Sequence, residues 1–213
     1  MHQAIAGVRI PDSRMAYDLT QRVRQAESDL LFHHSVRAFL FGALAGRRKG
    51  LTYDAELLYA GAMFHAVGLT AAYQKSPLRF EVDSANAARD FLRGYRIAEG
   101  ATEIVWDAIA LHATPGIPEH KRPEIALLAA GFEMDIFGAA YNEFTEAQRD
   151  AVVGAHPRGS NFKQGFIDAL YEGIKLRPET TFGTVNADVL ASKRASFVRD
   201  DFCQLVRSSA WAS

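Results

Sequence analysis

The sequence predicts an all-α fold: a single-domain helical bundle. Three observations carry that prediction. Nearly every patterned segment repeats its apolar residues at helical spacing. No run of β-branched residues is long enough for a convincing strand. No internal repeat, low-complexity tract or domain-separating linker interrupts the 213 residues. That length suits one domain, 1–213, and is enough to bury a real core.

Asp12 or Ser13 can cap a first helix reaching about Gln25. Ser28 opens a second, DLLFHHSVRAFLFGALAGRR, running to Gly50. A third starts within Thr52 to Asp54 and ends near Gly68, where a left-handed residue costs little. Residues 69–82, LTAAYQKSPLRFEV, read as a long loop containing Pro77. Asp83 or Ser84 caps a fourth helix to about Arg96, and ATEIVWDAIALHA forms a fifth, stopped by Thr114, Pro115 and Gly116. EIALLAAGFEMDIFGAAYNEF is the sixth. Thr145 and Gln148 have the spacing of a capping box and open a seventh, and Asn161 to Lys175 and Asn186 to Leu205 supply the rest.

Composition narrows the function classes. A net charge of −1 offers neither a basic nucleic-acid surface nor an acidic tail. The single cysteine, Cys203, rules out an internal disulfide framework and suits a reducing compartment. The start, MHQAIAGVRIPDS, lacks the charged and apolar blocks of a secretory signal. The longest apolar region, near 57–69, falls short of the ~20 residues that span a bilayer. The expectation is a cytoplasmic protein with a small-molecule substrate and neither nucleic-acid nor membrane partner; association into a homo-oligomer stays open.

Three polar residues stand in apolar helical stretches. His34 shares a face with Leu30, Leu31, Arg37, Ala38 and Phe41, so it points inward, while His33 is rotated by ~100° and lies elsewhere. His65 ends LLYAGAMFH. Asp135 shares a stripe with Leu128, Gly131, Phe132, Gly138, Ala139 and Asn142. A buried carboxylate is costly without a partner or a metal. A lone histidine on an apolar face is more often a hydrogen-bonded core residue, and Asp135 could equally pair with Arg37. Three such residues on three helices can also converge in a bundle core, and two histidines with a carboxylate make a facial triad suited to zinc, iron or manganese.

The order His34, His65-Ala66, Asp135 resembles the H…HD…D pattern of the HD-domain metal-dependent hydrolases, an all-α superfamily. HSVRAFLFG, LLYAGAMFHAVGLT, RFEVDSANAARDFL, WDAIALHATPGI and ALLAAGFEMDIFG together look like its cyanamide hydratase-like branch, and the similarity continues through HPRGSNFKQGF. The motif region is then about 28–143, with helices over 145–207 packed on it. The resemblance implies one divalent metal ion, zinc first and iron or manganese otherwise, held by His34, His65 and Asp135. It implies addition of activated water to a small nitrile- or cyanamide-like carbon. HD-type phosphohydrolysis and non-catalytic binding of a small molecule are the alternatives.

The fourth motif position falls on Ala66, which cannot bind a metal and puts the activity of this chain in question; the change is either engineered or natural. His112, at the end of the fifth helix, is a candidate to bind substrate or shuttle protons, or else a histidine favoured by the helix dipole. Arg37 could orient substrate or form a structural ion pair. Phe80, with Lys75, Arg79 and Glu81, lies where a pocket wall or lid would be. His112 and the 69–82 segment are expected at the same cavity as the triad. His2, His120 and His156 stand in no supporting pattern.

Overall fold

The computed structural model describes residues 4–181, 189, 191–198 and 201–212. Among them there is no strand, only an isolated bridge between Ile5 and Val8. The helices are α1 (Arg14–Ala26), α2 (Asp29–Arg48), α3 (Ala55–Phe64), α4 (Phe80–Gly94), α5 (Glu99–Leu111), α6 (Pro123–Phe137), α7 (Glu146–Ala155), α8 (Phe162–Ile174) and α9 (Phe202–Arg207). No described helix is long and apolar enough to cross a membrane.

Local chemistry starts many of these helices. Ser13, Ser28 and Asp54 accept backbone N–H bonds in the first turns of α1, α2 and α3. Thr145 and Gln148 form a reciprocal capping box at α7. The α2–α6 crossing is the closest in the bundle core because small residues permit it. A Cβ on Gly131 would overlap the Ala38 carbonyl, and one on Gly42 would overlap that of Leu127. Leu40, Phe41, Met63 and Leu128 fill the core beside this crossing. A second apolar cluster, containing Leu31, Ala66, Phe132, Phe162 and Phe166, lies where α8 covers α2 and the segment after α3.

Four boundaries depart from the sequence reading. The third helix ends at Phe64, and Val67–Leu69 form a 3₁₀ turn. Gly68 is not left-handed: its positive-φ role is absent, and the space a Cβ would take is occupied by the Phe80 carbonyl. The fourth helix starts at Phe80 rather than at Asp83 or Ser84, which shortens the expected loop. Asp83 is occupied by Arg177 and Ser76, and Ser84 accepts from the Gly68 N–H, so neither side chain caps the helix. The sixth helix stops at Phe137 because Gly138 turns left-handed, at φ 66°. The helix expected over Asn186 to Leu205 falls partly outside the described residues. Of its described part, Arg194 to Val198 is not helical, and α9 begins at Phe202 under an Asp201 cap.

Candidate functional site

His34, on the buried face of α2, reaches across to Asp135 on α6: its Nδ1 lies 2.7 Å from Oδ2. Arg37, one turn further along α2, donates from Nε to Oδ1 at 2.8 Å and from a terminal nitrogen to Oδ2 at 2.9 Å. Arg158, in the segment between α7 and α8, donates to Oδ1 at 2.7 Å and to the Asp135 carbonyl at 2.6 Å. A carboxylate offers about four acceptor positions, and these four bonds fill them. Phe162 lies between the two guanidiniums, 4.7 Å from that of Arg37 and 4.2 Å from that of Arg158.

Burial alone would raise the Asp135 carboxyl. The charges of Arg37 and Arg158 and the His34 bond outweigh it and hold the group far below the usual carboxylate range. Arg158 is pulled down to about 10, chiefly by burial, against the attraction of Asp135.

His65 caps the C-terminus of α3. Its Nδ1 lies 2.6 Å from the Ala62 carbonyl, which can only accept, so Nδ1 carries the proton. The same logic puts a proton on His34 Nδ1, facing the ionised Asp135. The Nε2 atoms of the two rings meet at 3.0 Å. With both imidazoles neutral, that contact opposes two lone pairs. Burial lowers both basicities first; the charges of His112 and His34 push His65 further down, while Asp135 partly restores His34.

His112 caps α5 in the same way, its Nδ1 2.7 Å from the Ile109 carbonyl. Its ring stands edge-on to His65 at 4.9 Å between centroids, and burial pulls its pKa down to about 4. Its Nε2 has no hydrogen-bond partner among the described residues.

Beside these rings is a cavity of about 160 Å³, walled by His65, Ala66, Phe80, His112, Phe132 and Phe166 among others. Leu69, Ala113, Leu170 and Phe202 add to its apolar lining, and among the described residues no Lys, Arg, Asp or Glu contributes to it. The backbone around Ala66 is fixed by Arg177, which is fully buried. It donates to the Gly68 and Leu78 carbonyls at 2.6 and 2.9 Å and to Asp83 at 2.5 Å.

The structure thus brings His34, His65 and Asp135 together from three helix regions, with His112, Ala66, Leu69 and Phe80 around the adjoining cavity. Of the two readings of Arg37, the ion pair is the one present; Arg37 is fully buried and does not line the cavity. Lys75, Arg79 and Glu81 are not in the wall either, and Arg79 pairs with Glu81 at 2.7 Å. His33 lies apart from His34, its Nδ1 3.2 Å from that of His156. Sequence reasoning missed Arg158 and Arg177, though HPRGSNF held the first within a recognised segment. Phe80 lines the cavity as expected, whereas the phenylalanine walls from α6, α8 and α9 (Phe132, Phe166 and Phe202) were missed.

The donor set fits the implied metal poorly. Asp135 has no free acceptor position, Ala66 offers none, and no group of three His, Cys, Asp or Glu among the described residues is disposed to hold a metal ion. No protein-family model matches the chain, and no curated protein matches it.

Proposed function

We propose that this chain is a small-molecule-binding protein on an HD-type helical scaffold, its ligand a small neutral molecule seated beside His65, Ala66 and His112. One observation carries the reading: the cavity joins an apolar wall without charged residues to imidazoles that burial keeps neutral. Ionised ligands would lose hydration there without a counter-charge, whereas neutral apolar ones gain by burial. The carboxylate that would make the site hydrolytic is replaced by Ala66, and the remaining one is consumed by Arg37 and Arg158.

The test is direct. Fluorobenzene, followed by fluorine line broadening, should bind the unmodified chain and lose its binding in Ala66→Leu, which fills the cavity. Absence of binding to the unmodified chain, or equal binding to the variant, overturns the reading.

The metal-dependent hydratase reading retains one specific support, the His34–His65 contact. Metal-ligating histidines characteristically donate their second ring N–H to a carboxylate or backbone carbonyl, as both do here. Two nitrogens fall short of a complete set. Ala66→Asp is the restoring change. One equivalent of tightly held zinc, iron or manganese, with hydration of a small nitrile, would favour the enzyme; continued failure to retain metal would count against it.

A further inference from the structure

The chemical class of the ligand follows from the wall of the same cavity, so this inference rests on the small-molecule reading above. We propose that the site selects a single aromatic ring carrying one neutral hydrogen-bond donor, of the phenol type, with the donor held by His112 Nε2.

Size sets the first limit. The cavity holds about 160 Å³, and an apolar cavity of about 150 Å³ admits one benzene ring. A long acyl chain would not be enclosed by it. Shape sets the second. Phe80, Phe132, Phe166 and Phe202 all contribute walls. Phe132 and Phe80 already stand edge-on to the His112 ring, at 83° and 74°. A flat ring can continue this edge-to-face pattern, which favours aromatic guests over aliphatic ones of equal size.

The polar requirement comes from tautomers. His112 commits its Nδ1–H to the Ile109 carbonyl, leaving Nε2 as an acceptor. The side chain is 2 % exposed, and that nitrogen has no partner among the described residues. His65 Nε2 is already opposed to His34. The unmet demand at His112 Nε2 is therefore for one O–H or N–H donor. A carboxylate offers only acceptors and would meet the His112 lone pair without a proton between them.

Calorimetric titration of the full chain with phenol, toluene and benzoate tests the class. Phenol should bind about 5- to 10-fold more tightly than toluene, the worth of one net hydrogen bond, and benzoate more weakly than either. In His112→Leu, toluene should still bind while the preference for phenol disappears. Should that variant fail to fold, the histidine ring nitrogens of the unmodified chain give the same answer, because phenol should shift His112 Nε2 selectively. Equal affinity for phenol and toluene overturns the donor assignment and leaves the small-molecule reading intact. A phenol preference that survives in a folded His112→Leu, or a phenol-induced shift confined to other histidines, overturns the role of His112. If neither compound binds, both inferences fall together.

Discussion

Around Asp135 every acceptor position is filled, whereas beside Ala66 one ring nitrogen of the buried His112 has no partner among the described residues. Both regions touch the same histidine pair, and His34, His65, His112 and Asp135 are all buried. They differ in how their polar atoms are satisfied. The Asp135 side is a charge network in which two guanidiniums and an imidazole converge on one carboxylate. The Ala66 side is an apolar chamber with an acceptor to spare. A saturated network holds a fold in place and has little left for a ligand; an unsaturated acceptor in an apolar cavity is where a ligand can gain free energy.

Removing the shared carboxylate should have the largest effect. Asp135→Ala leaves Arg37 and Arg158 buried without their common counter-charge, at a cost of about 3–5 kcal/mol, and should lower Tm by on the order of 10 °C. Thermal unfolding followed by circular dichroism reads this. A near-unchanged Tm would show that the network is not the anchor the comparison makes it.

Acid should separate the two sides next. The folded His112 value, about 4, lies below the ordinary 6.5, so between those pH values the unfolded chain binds a proton that the native chain refuses. Stability therefore falls as pH drops through that window, and His112 alone accounts for about 3 kcal/mol by pH 4. Asp135, held far below its usual range, stays ionised throughout it and adds nothing to the loss. Denaturant titrations at stepped pH should show the decline starting near pH 6.5, with a shallower slope in His112→Leu.

How much of this was legible in the sequence depends on how local each cause is. Ser13, Ser28, Asp54 and the Thr145–Gln148 box were readable because a cap acts on N–H groups two or three residues away. Asp83 and Ser84 misled for the opposite reason: their partners are Arg177 and Gly68, distant in sequence. The inward faces of His34 and Asp135 followed from helical spacing. The saturation of Asp135 did not, since its fourth bond comes from Arg158, in a segment whose approach to α6 no spacing reveals. The chamber was legible in part, through His112, Phe80 and the 69–82 segment; its walls Phe132, Phe166 and Phe202 were not, because each reads as an ordinary core residue in its own helix.

Another buried carboxylate sharpens the contrast. Among the described residues Glu27 has one hydrogen bond, from Ser35 at 3.3 Å, and its other oxygen has no partner; burial raises its pKa well above the usual value. Without the cations that Asp135 enjoys, its charge is a burden at neutral pH. Glu27→Gln should stabilise the chain by roughly 1 kcal/mol at pH 7, measured as a higher denaturant midpoint. Smaller still is the expected effect of Ala66→Leu on stability, within about 1 kcal/mol, because the new side chain enters existing space. Its effect on ligand binding should be far larger than its effect on folding.

The comparison is tested most directly by nitrogen-15 spectra of the histidine rings in the unmodified chain, recorded with and without phenol. At neutral pH, His34, His65 and His112 should each appear as the neutral Nδ1–H tautomer. Phenol should then move His112 Nε2 in the direction of an accepted hydrogen bond while His34, fixed by Asp135, stays in place. A protonated His34 at neutral pH, or a phenol response at His34 with none at His112, would contradict the division between a satisfied anchor and an open acceptor.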